Sequence, residues 1–417
     1  MKVAVIGAGV VGVSTAYELA ADGHQVTVFE RRSAAAEEAS FANAGLYAPG
    51  TVVPWRVPGL LGTIAQGLFN RNAPLQLGWG LTGSELAWLW KWRRASQPAA
   101  YLAQHTRLQR LVGYSTERLQ TLTHSLHLDY DRSEGSLLLL RTDSALAQAQ
   151  AGLQLLREAG VAWQQIDAPA ALLREPALNT DTPLAAAIHL PGEAVGNCRQ
   201  FTMQLKALAQ QLGVKFEFNR TVTHIEPAQV ATISIANETT PRRFDAVVVC
   251  AGLASAALLK PLGVQIPLAA VYGYSLSAQI REPLNAPVSA VVDEQHQISI
   301  ARMGQRVRVA GGIDIGSRVV THNPAAIARL YKVLYDWFPG AAQLASNVQI
   351  WKGARPMLPD GPPLIGPSGL PSVWLNLGHG AYGWALASGS ARATADLVAG
   401  RVPEVDMEGL GLERWKH

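Results

Sequence analysis

Apolar positions at the start of the chain change period twice within one short stretch. Lys2 to Ile6 (KVAVI) is a continuous apolar run rich in β-branched residues, which predicts a buried strand. A helical stretch is predicted from Val10 to about Ala21, and Gly23-His24-Gln25 breaks it. Val26 to Phe29 is a second apolar run that ends at Glu30. Between the first strand and the helix stand Gly7, Gly9 and Gly12, in the spacing G-x-G-x-x-G. Gly7 allows a tight turn, Gly9 lets the backbone approach a pyrophosphate, and Gly12 lets the helix sit close to the strand. Backbone N–H groups at Val10 and Val11 open the helix and suit phosphate charge. Glu30 is placed to accept hydrogen bonds from a ribose diol and would repel a 2′-phosphate, although Arg31 and Arg32 follow. The pattern predicts a dinucleotide-binding β-α-β unit.

The pattern then leaves this unit and returns to it. A small-residue polar loop (RRSAAAEEASFANAG) follows Glu30, and from Pro54 to about Leu190 the reading is mostly helical. Arg107 to Leu126 is an amphipathic helix by its apolar spacing, Ser136 to Leu140 a strand, and Gln148 to Gly160 a helix. Near Cys198 the chain comes back, with a helix from Gln200 to Gln211 and strands at Val214 to Phe218 and Thr221 to Ile225. A buried strand from Phe244 to Cys250 ends in Ala251-Gly252. A second excursion holds strands at Val271 to Ala278, Val288 to Asp293, Gln297 to Arg302 and Arg306 to Gly311, then a helix from Ala325 to Phe338. Their spacing predicts a mainly antiparallel sheet. The chain returns again with Val373 to Leu377, a glycine-rich turn, and a helix from Trp384 to about Ala399. The expected organisation is α/β. A discontinuous nucleotide domain spans 1–53, 191–262 and 348–417, and an α+β substrate domain spans 54–190 and 263–347.

Composition narrows the function classes. A chain of 417 residues exceeds one small core, and 48% hydrophobic against 16% charged residues describes a well-packed globular enzyme. The net charge is only +4 with no long basic run, so nucleic-acid binding has little support. The cysteines, Cys198 and Cys250, lie outside any metal-ligand spacing, and the histidines show no H-E-x-x-H, so no metal is expected. No secretory signal or apolar run of membrane-spanning length is present, so a cytoplasmic location is expected. Trp79, Trp88, Trp90 and Trp92 lie close to Lys91, Arg93 and Arg94. They predict either a helical cap packed on the substrate domain, the reading preferred here, or peripheral contact with the inner face of the plasma membrane.

Two further constellations carry chemistry. Gly378-His379-Gly380-Ala381-Tyr382-Gly383 again joins a strand to a helix, at the far end of the chain. Two such turns suggest a cofactor larger than one nucleotide, held at both ends, and backbone N–H groups at a helix start suit a flavin edge. Arg355 sits among apolar and turn residues in WKGARPMLPDG. A guanidinium in that company needs a partner, either a substrate carboxylate or a structural acid such as Asp360.

These motifs, together with SFANAG (Ser40 to Gly45) and NCRQFT (Asn197 to Thr202), resemble the D-amino acid dehydrogenase small subunit. That family lies within the group of D-amino acid oxidase, glycine oxidase and sarcosine oxidase. The resemblance implies a glutathione-reductase-like, Rossmann-type domain holding FAD without a covalent link, since no cysteine follows Cys250. It implies that Gly7, Gly9, Gly12 and Glu30, with Val10, Val11 and Arg31, hold the ADP half. Ser40, Asn43, Ala44, Gly45 and Leu46 would flank the ribityl chain and ring, Val222 the adenine, and Ala251 and Gly252 the pyrophosphate. Gly378, His379, Gly380 and Gly383 would meet the isoalloxazine, and Arg355 the substrate carboxylate. Where the family often carries lysine before the G-Y-S strand this chain has Tyr272, a candidate second carboxylate donor. His379 is a candidate base. The implied reaction is oxidation of a D-amino or imino acid, with electrons passed to an acceptor such as a quinone or an electron-transfer partner. D-proline or D-hydroxyproline dehydrogenation and glycine- or sarcosine-type oxidation are alternatives. A nicotinamide-dependent dehydrogenase and a flavin-binding assembly subunit are two more.

Overall fold

The structure is a computed structural model that describes residues 1–47, 50, 75–78, 81–316 and 322–415. Residues 51–53, the expected boundary at Pro54, and Trp79 lie outside the described residues. Lys2–Ile6 runs through the middle of a six-stranded sheet, parallel to Gln25–Phe29 on one side and to Ala246–Val249 on the other. Its continuous apolar character follows from cover on both faces. Val3 and Val5 meet the helices Val10–Ala21, Cys198–Gln211 and Gly383–Val398. Ala4 and Ile6 meet a three-stranded sheet through residues such as Ile225, Ile233 and Phe244. Val373–Leu377 adds in parallel to Ala246–Val249, and Leu364–Pro367 closes that edge antiparallel.

The run expected as one strand from Phe244 to Cys250 is two elements. Arg242–Phe244 pairs in the three-stranded sheet, and Ala246–Val249 pairs in the large one. Asp245 makes the break: its carboxylate accepts from the Lys2 N–H at 2.6 Å and its own N–H donates to the Lys2 carbonyl at 2.8 Å. A polar residue that docks the next strand marks the switch between sheets.

The second sheet has ten strands and is mainly antiparallel. Its order begins Gln349–Met357, Ala269–Gln279, Arg306–Ile315, Ile298–Met303, Ala290–Asp293 and Ser133–Leu140, and ends with Ala186–Val195 and Leu46–Tyr47. Leu46–Tyr47, residues 191–195 and Gln349–Met357 belong to this sheet, although the expected boundaries place them on the nucleotide side. The stretch read as mostly helical ends in the ten-residue strand Ala186–Val195. Pro191 and Gly192 disguise it. They sit where the partner strand is bulged between Glu134 and Ser136, with Gly135 at φ +81°, so the ladder tolerates a missing donor there.

The helix expected from Arg107 starts at Pro98, whose fixed φ suits the first turn, and runs to Ser125. Its Ser115 meets Gly389 of Gly383–Val398 so closely that an added Cβ at Gly389 would lie 2.7 Å from the Ser115 Cα. Beside this crossing the buried Glu18 accepts two hydrogen bonds from Arg118, both at 2.7 Å, and one from Arg392 at 2.8 Å. Three helices are thereby locked behind the first glycine turn.

Candidate active site

The first turn is packed as its glycines require. Gly7 has φ +106°, and its N–H donates to the Phe29 carbonyl at 2.8 Å. A Cβ on Gly12 would lie 1.9 Å from the Gly7 carbonyl oxygen, so the helix rests directly on the turn. No side chain caps this helix at Gly9. Val10 N–H donates to Ser40 Oγ at 3.0 Å, while the N–H groups of Val11 and Gly12 have no acceptor within the helix. Glu30 ends the second strand and accepts from the N–H groups of Ala8 (2.7 Å) and Arg32 (2.9 Å). Arg31 and Arg32 both bond Glu38, which answers part of their charge and leaves less for a 2′-phosphate.

The loop from Ser40 to Leu46 ties the two sheets together. Ser275 of the larger sheet donates to the Ala42 carbonyl at 2.7 Å, and Arg308 donates to the Asn43 carbonyl at 3.2 Å. Asn43 Oδ1 accepts from Gly45 N–H at 3.1 Å, and the Gly45 carbonyl accepts from Trp384 Nε1 at 3.1 Å. Trp384 stands at the start of the helix after the second glycine turn, so loop and turn are one unit. In that turn Gly378 and Gly380 have φ +78° and +57°, and added Cβ atoms would strike Leu358 and Met357 at 2.5 and 2.6 Å. A short 3₁₀ segment, Gly380–Tyr382, leads into Gly383–Val398, again with no side-chain cap.

A cavity of about 1220 Å³ joins these parts. Every expected site residue lines it except Gly12, which packs beneath the turn, and Tyr272. Val222, Ala251, Gly252 and Arg355 are among the residues that line it.

Arg355 lies on the strand Gln349–Met357 and donates to the Gly312 carbonyl at 2.9 Å. Its guanidinium lies flat over Gly273, where an added Cβ would stand 2.3 Å from Nη2. Burial pushes its pKa down, against Tyr382 and Asp314, which raise it. Among the described residues no carboxylate lies within ion-pair distance of it. Asp360, the structural partner left open by the sequence, is held instead by Arg414 Nε at 2.8 Å.

Two expectations are corrected. Tyr272 pairs opposite Ala354, one place away from the Val271–Arg355 pair, so its side chain leaves the opposite face of the sheet. There the Lys352 ammonium lies 4.5 Å from its ring centre, and Tyr272 is not placed to hold a carboxylate bound by Arg355. His379 is no base for neutral pH. Burial pushes its pKa down to about 3, and its Nε2 bonds Ser390 Oγ at 2.9 Å.

Sequence reasoning missed the partners of Arg355. Gly273 and Gly353 face each other across the two strands, and the Trp351 indole lies over Gly353. The only signals were a glycine two places before Arg355 and another in Tyr-Gly-Tyr-Ser. In the tryptophan cluster, Trp88 and Trp92 are buried, and Trp88 Nε1 donates to the Met357 carbonyl at the end of the Arg355 strand, 3.1 Å away. Trp90 is 56% exposed with Arg94 stacked on it. No helix among the described residues is long and apolar enough to cross a membrane.

A sequence model of the family described as "DAO: FAD dependent oxidoreductase" matches residues 2–397. The chain belongs to this family. Within it, a D-amino acid dehydrogenase of Cereibacter sphaeroides is 40% identical over 421 aligned residues, covering 100% of this chain and 95% of that relative. A D-amino acid dehydrogenase of Rhizorhabdus wittichii is 36% identical over 417 residues and covers both chains fully, at 100% each. In fold, the chain is similar to glycine oxidase from Geobacillus kaustophilus, with a TM-score of 0.74, 20% identity and coverage of 99% and 98% of the two chains. L-proline dehydrogenase from P. horikoshii gives a TM-score of 0.72 at 16% identity, covering 100% and 97%. The cofactor of this family is FAD, and the cavity fits it. Two helix starts without side-chain caps face one cavity at either end of the chain. Glycines in both turns stand where side chains would collide with protein, and Glu30 lines the cavity beside the first turn.

Proposed function

We propose that this family member oxidises D-amino acids to imines, which water hydrolyses to 2-oxo acids and ammonia, and that its electrons pass to a respiratory acceptor. FAD, when bound, supplies the acceptor for the hydride leaving Cα. Arg355 supports this reading most directly. It is a half-buried guanidinium without an acid partner among the described residues, lining the same cavity as the two glycine turns. A bidentate carboxylate contact there fixes the substrate's Cα and decides which hydrogen can face the cofactor, which is the physical origin of D over L selection. The substrate ammonium must lose its proton first. Burial keeps His379 neutral and its Nε2 bonds Ser390, which leaves a water to take that proton. The buried thiols of Cys198 and Cys250, both pushed up to about 12 by burial, fit a cofactor held without a covalent link. The six-stranded sheet would carry the cofactor and the larger sheet the substrate.

Mixing the purified protein anaerobically with paired D- and L-amino acids tests the reading. We expect D-isomers to bleach the flavin absorbance and L-isomers to leave it. Bleaching by L-isomers alone, by sarcosine or cyclic imino acids alone, or by nothing in the panel overturns it. Trp88 and Trp92 pack as the preferred helical cap would, and peripheral contact with a bilayer is the second reading of the same helix. It is supported by the exposed row Leu86, Trp90, Arg93 and Arg94 on the helix Gly83–Ala95. Flotation with anionic vesicles should carry wild-type protein upward and leave a Trp90→Ala, Arg93→Glu variant behind. Wild-type protein that stays at the bottom removes the contact.

A further inference from the structure

The cross-strand pair Gly273–Gly353 opens a trough in the larger sheet next to the carboxylate site. Two flat groups fill it. The Arg355 guanidinium lies over Gly273, and the Trp351 indole lies over Gly353, where an added Cβ would be 1.6 Å from the ring. The two glycines belong to neighbouring strands, so guanidinium and indole lie about one strand spacing apart, roughly 5 Å. Both side chains leave the same face of one strand, and both line the cavity. Phe41 stacks on the indole at 6.4 Å and 29°, and Arg199 covers Phe41 at 4.3 Å, so the ring is held in place.

We infer that Trp351 is the platform for the substrate side chain, and that the site takes D-amino acids with a large apolar side chain. This rests on the function proposed above. A carboxylate gripped by Arg355 leaves the side chain about one strand spacing away, at the distance of the indole. Ile313, beside the Gly312 carbonyl that bonds Arg355, adds a second apolar surface. A cationic side chain would meet no carboxylate on this face within about one strand spacing, roughly 5 Å, among the described residues. Asp314 is on the opposite face, bonded to Tyr274, and Glu294 stands three strands beyond Gly273, roughly 14 Å away. An acidic side chain would bury a second charge against apolar surface.

The test uses the full-length holoenzyme with an artificial dye acceptor, and compares kcat/KM for D-phenylalanine and D-leucine with that for D-alanine. Wild type should prefer the large substrates. Trp351→Ala should lower the D-phenylalanine to D-alanine ratio roughly 10- to 100-fold, as expected for losing the burial of a large apolar group, with flavin content and spectrum retained. Trp351→Phe should hold the ratio within about threefold, because a flat ring remains. Should the alanine variant lose FAD, Trp351→Leu is read in its place and must show the same fall for D-phenylalanine. An unchanged ratio in the variant read, or a wild-type preference for charged substrates, overturns the platform while D-amino acid oxidation itself stands. Wild type that reduces its flavin with no D-amino acid overturns the platform together with the proposed function.

Discussion

Arg355→Met is expected to lower kcat/KM for the amino acid substrate by roughly 10²- to 10⁴-fold while FAD stays bound. Methionine keeps much of the length of the side chain and removes its charge and fork of donors, so the trough over Gly273 stays filled. What is lost is a charge-assisted carboxylate contact of about 2–5 kcal/mol in a site screened from water. Arg355→Lys should recover only part of this. A point charge cannot both satisfy the Gly312 carbonyl and present two parallel donors to a carboxylate. Steady-state kinetics beside the flavin absorbance of the purified variant make the measurement. Wild-type kinetics in Arg355→Met would remove the carboxylate role.

Gly12→Val is expected to give a colourless protein. The first added atom would stand 1.9 Å from the Gly7 carbonyl oxygen, which is backbone and cannot swing away. Relief requires the helix to lift off the turn, and that carries the free N–H groups of Val11 and Gly12 out of place. Overpacking of this kind costs about 1–3 kcal/mol, and the stabilisation that bound cofactor gives the folded state is lost as well. Gly9 is the internal control: its nearest neighbour is Ser40 Oγ at 3.4 Å, so Gly9→Ala should spare the cofactor-free protein and act only on FAD binding. Flavin content and thermal melts with and without added FAD separate the two. A yellow Gly12→Val protein with the wild-type melting temperature would contradict the packing argument.

How much of this was legible in the sequence depends on whether a signal is local. The glycine turns, the helix after the first of them and the strand Val373–Leu377 fall where the spacing puts them, because each is set by residues next to one another. Arg355 stood out because a guanidinium among apolar and turn residues is a local anomaly. Tyr272 was misplaced because a strand's facing is fixed by register with its neighbours, and a change of one position turns a side chain to the other face. The Gly273–Gly353 trough is invisible for the same reason: it exists only between two strands far apart in the chain. His379 looked reactive in a glycine-rich turn, yet its chemistry is decided by Ser390 and by burial among residues gathered from elsewhere. The tryptophans, by contrast, could have been sorted by helical phase. Trp88 and Trp92 are four apart on the buried face, and Trp90 faces away.

The order of strands around Lys2–Ile6 has a consequence for synthesis on the ribosome. That strand is made well before Ala246–Val249, which covers one of its edges and is specified about 240 residues later. At roughly 5–20 residues per second this is about 12–48 s during which a nascent apolar edge stands unpaired. The second glycine turn is translated later still, at Gly378 to Gly383. The cavity that both turns line is therefore incomplete until Gly378 to Gly383 have been made.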